Sequence, residues 1–435
     1  MSRSMLAAGA ALAALAAVLV VTVSGPPRLG WYLAAWALFG AALWAARRLP
    51  ERRLGPLVLA GGIVLAATGL TAPPSSSTDS FRYVWDGQVQ AAGISPYAYP
   101  PSDPALAGLR DPWLFPKDCE GLYPLPDGGC TRINRPTVPT IYPPLAQGYF
   151  LLVHWLSPEG AGQKPLQVAG FLLAVGALLA LHRVAGPRRA AAWAWCPAVP
   201  VEAVNNAHVD MLGVLLVVLA FSVVRGRGAL LGAAVAAKLL PVTALPGALA
   251  GSLAGPLRRR RALTMLGPAG LVVALSYVPY VLASGPSVIG YLPGYLKEER
   301  YDAAGDGNRY AVLRLLLPDP WAPYAAIVLL AAVALLVLRY GDPERPWDGA
   351  LLVSGAFLLL LTPGYSWYAL LVVALAAMAG RLEWLGTALA GAIAYADGPA
   401  GSGVLATAFY TASALAVMVA LLARRPVPAG LSAKE

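Results

Sequence analysis

Charge is scarce in this chain: Asp, Glu, Lys and Arg make up 12% of its 435 residues, against ~25% in an ordinary soluble domain. That shortage excludes a water-soluble globule of usual composition. Cysteine is thinner still. Three cysteines are too few for a disulfide scaffold, and no Cys/His cluster has zinc spacing. With three histidines in all, His154, His182 and His208, a three-histidine metal site is not expected either, so neither metal nor other cofactor is anticipated.

What the chain does have is apolar length. Hydrophobic residues are 58% of the whole, and the runs 5–23, 166–181, 263–282, 324–338 and 404–422 approach or reach the ~20 residues that cross a bilayer. The net charge of +10 sits in short clusters between those runs, where a membrane protein keeps its cytoplasmic basic residues, so nucleic acid is not an expected partner. The first run outlasts the roughly 7–15 apolar residues of a signal peptide, and Ser24-Gly25-Pro26-Pro27 is a poor cleavage site; a retained helix is the preferred reading.

The basic clusters also set orientation. Arg47, Arg48, Arg52 and Arg53; Arg183, Arg188 and Arg189; Arg225 and Arg227; Arg258 to Arg261; and Arg424 with Arg425 are all expected in the cytoplasm. Both termini then face the cytoplasm. Spans fall near 5–23, 29–46 and 54–70, and the stretch 71–164 becomes a first extracytoplasmic loop. Within it the apolar segment 142–156 reads as an interfacial or re-entrant helix, because counting it as a span would turn Arg183, Arg188 and Arg189 outward.

Further spans are expected near 165–182, 190–204, 209–224, 228–240, 242–256 and 262–283. A second extracytoplasmic loop, 284–322, follows, and then spans near 323–339, 349–363, 367–379, 384–396 and 403–422. The expected fold is an all-α polytopic membrane protein, one transmembrane domain over 1–435 with about fourteen spans. Pro197, Pro200, Pro241 and Pro246 interrupt the middle helices, and broken helices in a bilayer imply protein or a polar cavity around the freed backbone.

Polar chemistry collects in four places. Thr78 can cap a helix that ends near Gly93, with Asp79, Arg82, Tyr83, Asp86 and Gln90 on one face and Phe81, Val84 and Trp85 on another. Such a helix is expected along the outer leaflet, and a solvated amphipathic helix accounts for the same pattern. Glu202, Asn205, Asn206, His208 and Asp210 stand between two apolar segments, and Lys238 lies inside a third; ionisable groups at such depth line a cavity or pair with one another. Lys238 is either a ligand for phosphate or the partner of Asp210 or Glu202, and His208 is either functional or a hydrogen-bonded core residue.

A mixed charge run, 297–310, ends in Arg309, which precedes an apolar stretch able to aim it inward. The turn holding Tyr365 and Trp367 can anchor at the interface or stack on a sugar. Cys119 and Cys130 share one loop, as a disulfide or as free thiols.

The run from Asp79 through Trp85-Asp86-Gly87 to Gly93-Ile94-Ser95-Pro96-Tyr97, then Thr140-Ile141-Tyr142-Pro143-Pro144, then Glu202 to Asp210 with Asn-x-His-x-Asp resembles the GT-C superfamily of integral-membrane glycosyltransferases, in particular bacterial mannosyltransferase-like proteins related to glycosyltransferase family 87. The resemblance covers about residues 54–380. It implies a polyprenyl-phosphate sugar donor, a hexose such as mannose, inverting transfer to a glycan, glycolipid or protein hydroxyl, and an extracytoplasmic site in the bacterial cytoplasmic membrane, usually without metal.

Asp79 matches the family's presumed base, with Asp86 as the fallback. Lys238, Arg82 and Arg309 are the expected phosphate ligands. Tyr83, Asp86, Tyr97, Tyr142, Glu202, Asn205, Asn206, His208, Asp210, Tyr365 and Trp367 are expected around the substrates. One base and several cations suit a phosphate leaving group better than hydrolysis, which needs a carboxylate pair. A lipid or glycolipid transporter, which also uses broken helices, is the competing class.

Overall fold

The computed structural model describes residues 2–298, 309–398 and 403–423. Of the charge run 297–310, residues 299–308 lie outside that set, as do Arg424 and Arg425. The chain opens with three helices, α1 (Arg3–Val23), α2 (Leu29–Ala46) and α3 (Glu51–Thr68), and the long 71–164 segment carries two more, α4 (Asp79–Ala91) and α5 (Pro144–Trp155). Then come α6 (Lys164–Ala185), α7 (Pro187–Ala194), a π-helical turn (Val199–Asn205), α8 (Asp210–Ser222), α9 (Arg227–Ala237), α10 (Leu245–Ala248) and α11 (Pro256–Ser284). The rest is α12 (Leu292–Glu298), α13 (Ala311–Arg314), α14 (Ala322–Tyr340), α15 (Pro346–Leu361), α16 (Ala369–Ala379), α17 (Leu385–Asp397) and α18 (Val404–Ala423). Among the described residues the only strands form a two-stranded antiparallel hairpin, Tyr123–Pro124 with Cys130–Thr131.

Among the described residues, six stretches are long and apolar enough to cross a bilayer: α1, α2, α6, Pro256–Glu298, Asp319–Tyr340 and α18; the π-helical turn with α8 makes a seventh if that bent pair is one span. The expected count of about fourteen is not reached by this measure. The physical reason is the prolines. Between 187 and 254 the chain is chopped into short pieces, and α9 has 11 residues, about 16 Å at 1.5 Å per residue, well under the ~30 Å hydrocarbon thickness. Leu263, Leu271, Leu275 and Leu282 of α11, Ile327 and Val328 of α14, and Met418, Val419 and Leu422 of α18 stand exposed. Apolar surface on that scale belongs against lipid, and the protein is an all-α, multi-pass membrane protein.

Inside the lipid-facing ring lies a protein core. Every residue of α16 is buried, and it shares one cluster with α1, α3, α6, α7 and α8. Close approach is needed there: a Cβ on Gly170 of α6 would sit 2.1 Å from the Ala203 carbonyl oxygen, so only glycine lets α6 touch the π-helical turn.

The amphipathic helix appears where expected, as α4, but its surroundings correct the expectation that its apolar face lies along a lipid leaflet. Trp85 and Val89 are covered by Leu106, Leu114 and Ile133, with Phe115 edge-on to Trp85 at 5.0 Å. The 104–133 part of the segment thus folds over α4 as a small core of its own, and Cys119 and Cys130 are joined there as a disulfide. The other face of α4 packs on α5. Its 12 residues, about 18 Å of helix, are too few to span, and Pro144 in its first turn starts it without losing a hydrogen bond.

Candidate active site

Two proline-broken places build the site. At the first, Pro197 and Pro200 deny the helix its ladder, the backbone widens to a π-helical turn, Ala207 takes the left-handed φ of 54°, and α8 leaves at 114°. Left-handed backbone at a residue with a Cβ costs roughly 1–2 kcal/mol and persists where surrounding contacts over-determine it. Those contacts are the polar side chains gathered at the bend.

Asn205 Oδ1 accepts from the Ser75 amide (3.0 Å) and hydroxyl (2.9 Å), while its Nδ2 donates to the carbonyls of Gly69, Ala72 and Pro73. Asn206 accepts from the Ser76 amide and donates to Ser76 Oγ (2.7 Å) and Glu202 Oε2 (3.1 Å). Glu202 Oε1 accepts from Ser366 Oγ at 2.6 Å.

His208 Nδ1 faces two acceptors, the Glu202 carbonyl at 3.1 Å and its carboxylate at 3.3 Å, which places the proton on Nδ1. Nε2 then accepts from Ser77 Oγ at 3.1 Å, and the ring stacks 3.9 Å from Trp367. Tyr395 donates to the Ser76 carbonyl. The bonds of Asn205, of Asn206, of His208 Nε2 and of Tyr395 reach the strap 69–77, and Asp79 follows directly after it. Thr78 is the N-cap residue of α4 as expected, but its side chain makes no capping bond: the Asp79 amide donates to Ser77 Oγ (3.3 Å), and Thr78 Oγ1 accepts from Asn134.

The second break is at Lys238. Pro241 cannot continue α9, and Lys238 leaves the helix with extended backbone (φ −155°, ψ 147°). Its ammonium lies 3.0 Å from Asp210 Oδ2 and 5.0 Å from the Tyr142 ring centroid. Apart from that ion pair neither Asp210 oxygen has a hydrogen-bond donor, although the residue is only 4% exposed. Removing one member of such a pair strands a buried charge, at about 3–5 kcal/mol.

The second break opens on a cavity of about 540 Å³, which the first reaches through Ser76 and Ser77 of the strap it holds. It is lined by Asp79, Arg82, Tyr142, Lys238, Tyr365 and Trp367 from the expected set, and by Asn134, Arg135, Tyr295, Tyr368 and Tyr395, which the sequence did not single out. Asp79 Oδ1 accepts from Asn134 Nδ2 at 2.9 Å and Oδ2 from the Tyr142 hydroxyl at 3.2 Å. Burial pushes the Tyr142 phenol well above its ordinary range and the Asp79 charge adds to that, so Tyr142 stays protonated and donates. Tyr97 fixes its backbone, donating to the Tyr142 carbonyl at 2.6 Å.

The remaining expected residues divide clearly. Arg82 lines the cavity, but its donors go to Asp86 (2.9 Å) and the Val138 carbonyl (3.1 and 3.2 Å). Asp86 is 1% exposed and also accepts from Thr140 (2.7 Å) and Gln147 (2.8 Å), which removes it from the cavity. Tyr83 is buried between Tyr142 and Phe150. Tyr97, Glu202, Asn205, Asn206, His208, Asp210 and Arg309 are not among the lining residues.

Arg135 supplies the cation that sequence reading missed. It holds a left-handed φ of 47°, and its Nε donates to Glu298 Oε1 at 2.9 Å. It sits in an irregular Pro-rich loop with no periodicity to mark it. Glu298 belongs to α12, whose Leu292 and Leu296 close an apolar wall with Leu239, Leu240, Val242, Phe357 and Leu361. Among the described residues no group of His, Cys, Asp and Glu could hold a metal ion.

One oriented carboxylate among cations can take a proton from a hydroxyl while a departing anion is stabilised. The family model for Glycosyltransferase family 87 matches residues 140–363, a stretch that includes Tyr142, the bend and Lys238 and leaves Asp79 and Trp367 outside. No curated protein and no solved structure matches the chain, and nothing favours the transporter class. Because the matched stretch is just over half of the sequence, this membrane protein belongs to glycosyltransferase family 87.

Proposed function

We propose that the protein transfers a sugar, a hexose such as mannose, from polyprenyl phosphate to a hydroxyl of a glycan, glycolipid or protein acceptor. One observation carries this reading: Asp79 and Lys238 meet the same cavity on either side of Tyr142, which donates to the carboxylate at 3.2 Å and lies 5.0 Å below the ammonium. A base and a cation set apart by one phenol match the two ends of an inverting displacement. Asp79 takes the acceptor's proton as the acceptor oxygen bonds to the anomeric carbon. The anomeric carbon–phosphate oxygen bond breaks, and its electrons leave with the phosphate toward Lys238 and Arg135. Stabilising the departing charge electrostatically replaces the second carboxylic acid of a hydrolase.

The apolar wall from Leu239 to Leu361 suits an isoprenoid tail. The whole chain acts as one transmembrane domain, and 71–164 and 284–322 are its extracytoplasmic loops, in the cytoplasmic membrane of a bacterium. The Cys119–Cys130 disulfide supports that side, since disulfides persist in oxidising compartments, and the basic clusters support cytoplasmic termini.

Asp79→Asn in proteoliposomes with radiolabelled lipid-linked sugar is the test. Transfer should fall by roughly 10²–10⁴, the usual weight of a general base. Unchanged turnover would remove Asp79 from the chemistry.

A further inference from the structure

A second cavity, about 360 Å³, lies on the opposite side of α4, within the size range of ~300–1,000 Å³ typical of small-molecule sites. Tyr83 is the partition. Its ring meets Tyr142, which lines the first cavity, at 4.9 Å edge-on and stacks on Phe150 at 4.5 Å, and both Tyr83 and Phe150 line the second. The other walls are the 111–113 turn, the end of α5 and the 157–162 connection to α6.

Gln88 and Ser157 of its lining are tied to the Leu109 and Val153 carbonyls, but three other polar groups keep free capacity. Asp111 Oδ1 accepts from the amides of Trp113 and Leu114, both at 2.9 Å, which fixes the carboxylate and leaves Oδ2 without a donor. The side chains of His154 and Glu159 make no hydrogen bond or ion pair with the described residues. Trp113 is held rigidly: it packs on Phe81 at 5.5 Å, and a Cβ on Gly162, itself at φ +56°, would come within 2.9 Å of the indole. Among the described residues no lysine or arginine lines the cavity, so its lining does not match a phosphate.

An indole beside carboxylate and imidazole acceptors is the chemistry that holds a sugar ring. The ring's C–H face lies on the aromatic plane, and its hydroxyls donate to the oxygens. We infer that this cavity is a binding subsite for a neutral glycan, separate from the Asp79 cavity. Trp155 and Leu156, exposed beside the cavity at the end of α5, would sit at the lipid boundary, so the sugar can come from a glycolipid headgroup or from a free glycan.

The test is native mass spectrometry of the full-length protein without donor. It is titrated in one arm with neutral tetrasaccharides of mannose, glucose or arabinose, and in the other with a neutral diglycosyl diacylglycerol. A single saturable adduct is expected in at least one arm, and the arm identifies the source. The double variant Asp111→Asn, Glu159→Gln should weaken it roughly tenfold. No adduct at about 10 mM glycan, a limit looser than millimolar affinity, overturns the proposal. So does equal binding by the variant, or displacement by choline or inorganic phosphate. Asp79→Asn should keep the adduct, so loss of transfer with binding intact separates this claim from the catalytic one.

Discussion

The bend around Glu202 and the cavity around Asp79 are both rich in buried polar groups, but they use them differently. At the bend the side chains of Glu202, Asn205, Asn206 and His208 are each paired within the protein at both ends. In the cavity Asp79 has two donors that orient it, and Lys238 has one partner for an ammonium with three N–H groups. Saturated polarity is scaffolding, and partly satisfied polarity is where a substrate can still bind.

The largest effects should separate two aspartates seven residues apart. Asp79→Asn should abolish nearly all transfer at unchanged thermal stability, whereas Asp86→Asn, which strands buried Arg82, should lower stability by about 3–5 kcal/mol; thermal melts with parallel assays of folded protein decide it. A melt loss for Asp79→Asn as large as that for Asp86→Asn would erase the distinction.

Next, Lys238→Met should destabilise by a similar ~3 kcal/mol because Asp210 is left alone. Adding Asp210→Asn should restore stability without restoring transfer, so recovered transfer in the double variant would deny Lys238 its phosphate role. Asn205→Ala, losing bonds to the strap, should cost about 2–3 kcal/mol while each folded molecule keeps transfer within a few-fold. Smallest is Tyr142→Phe. Removing one donor from Asp79 should slow transfer roughly five- to tenfold, the weight of an ordinary hydrogen bond at about 1 kcal/mol, with stability shifted by about 1 kcal/mol or less.

The sequence carried the class of fold and the polar clusters, because apolar run length and buried charge are local properties. Asp79 at a helix start and Lys238 before Pro241 were visible for that reason. Helix count was less legible, since hydropathy measures how greasy a run is and does not tell a full span from short helices such as α9, α16 and α17. Asn205 and Asn206 stood out as polar in an apolar stretch, yet nothing local distinguishes an amide facing a ligand from one tying down a strap 130 residues earlier. Asn134 and Arg135 had no periodicity to reveal them, and the cover over Trp85 comes from residues 106–133, reached only by tertiary folding.

Part of the cavity wall hangs from a weak hook. Helix α12 meets the 71–164 segment through Arg135–Glu298, whose side chains are 36% and 43% exposed, through the Arg135 guanidinium 5.5 Å from the Tyr295 ring, and beside a backbone bond from Tyr291 to Thr140. An ion pair that wet contributes at most ~1 kcal/mol, and at physiological ionic strength the screening length is already ~8 Å. Buffer salt is therefore a dial on this protein: raising it loosens the one side of the chamber that a long greasy chain would have to slip past, and leaves the deeply paired bend untouched.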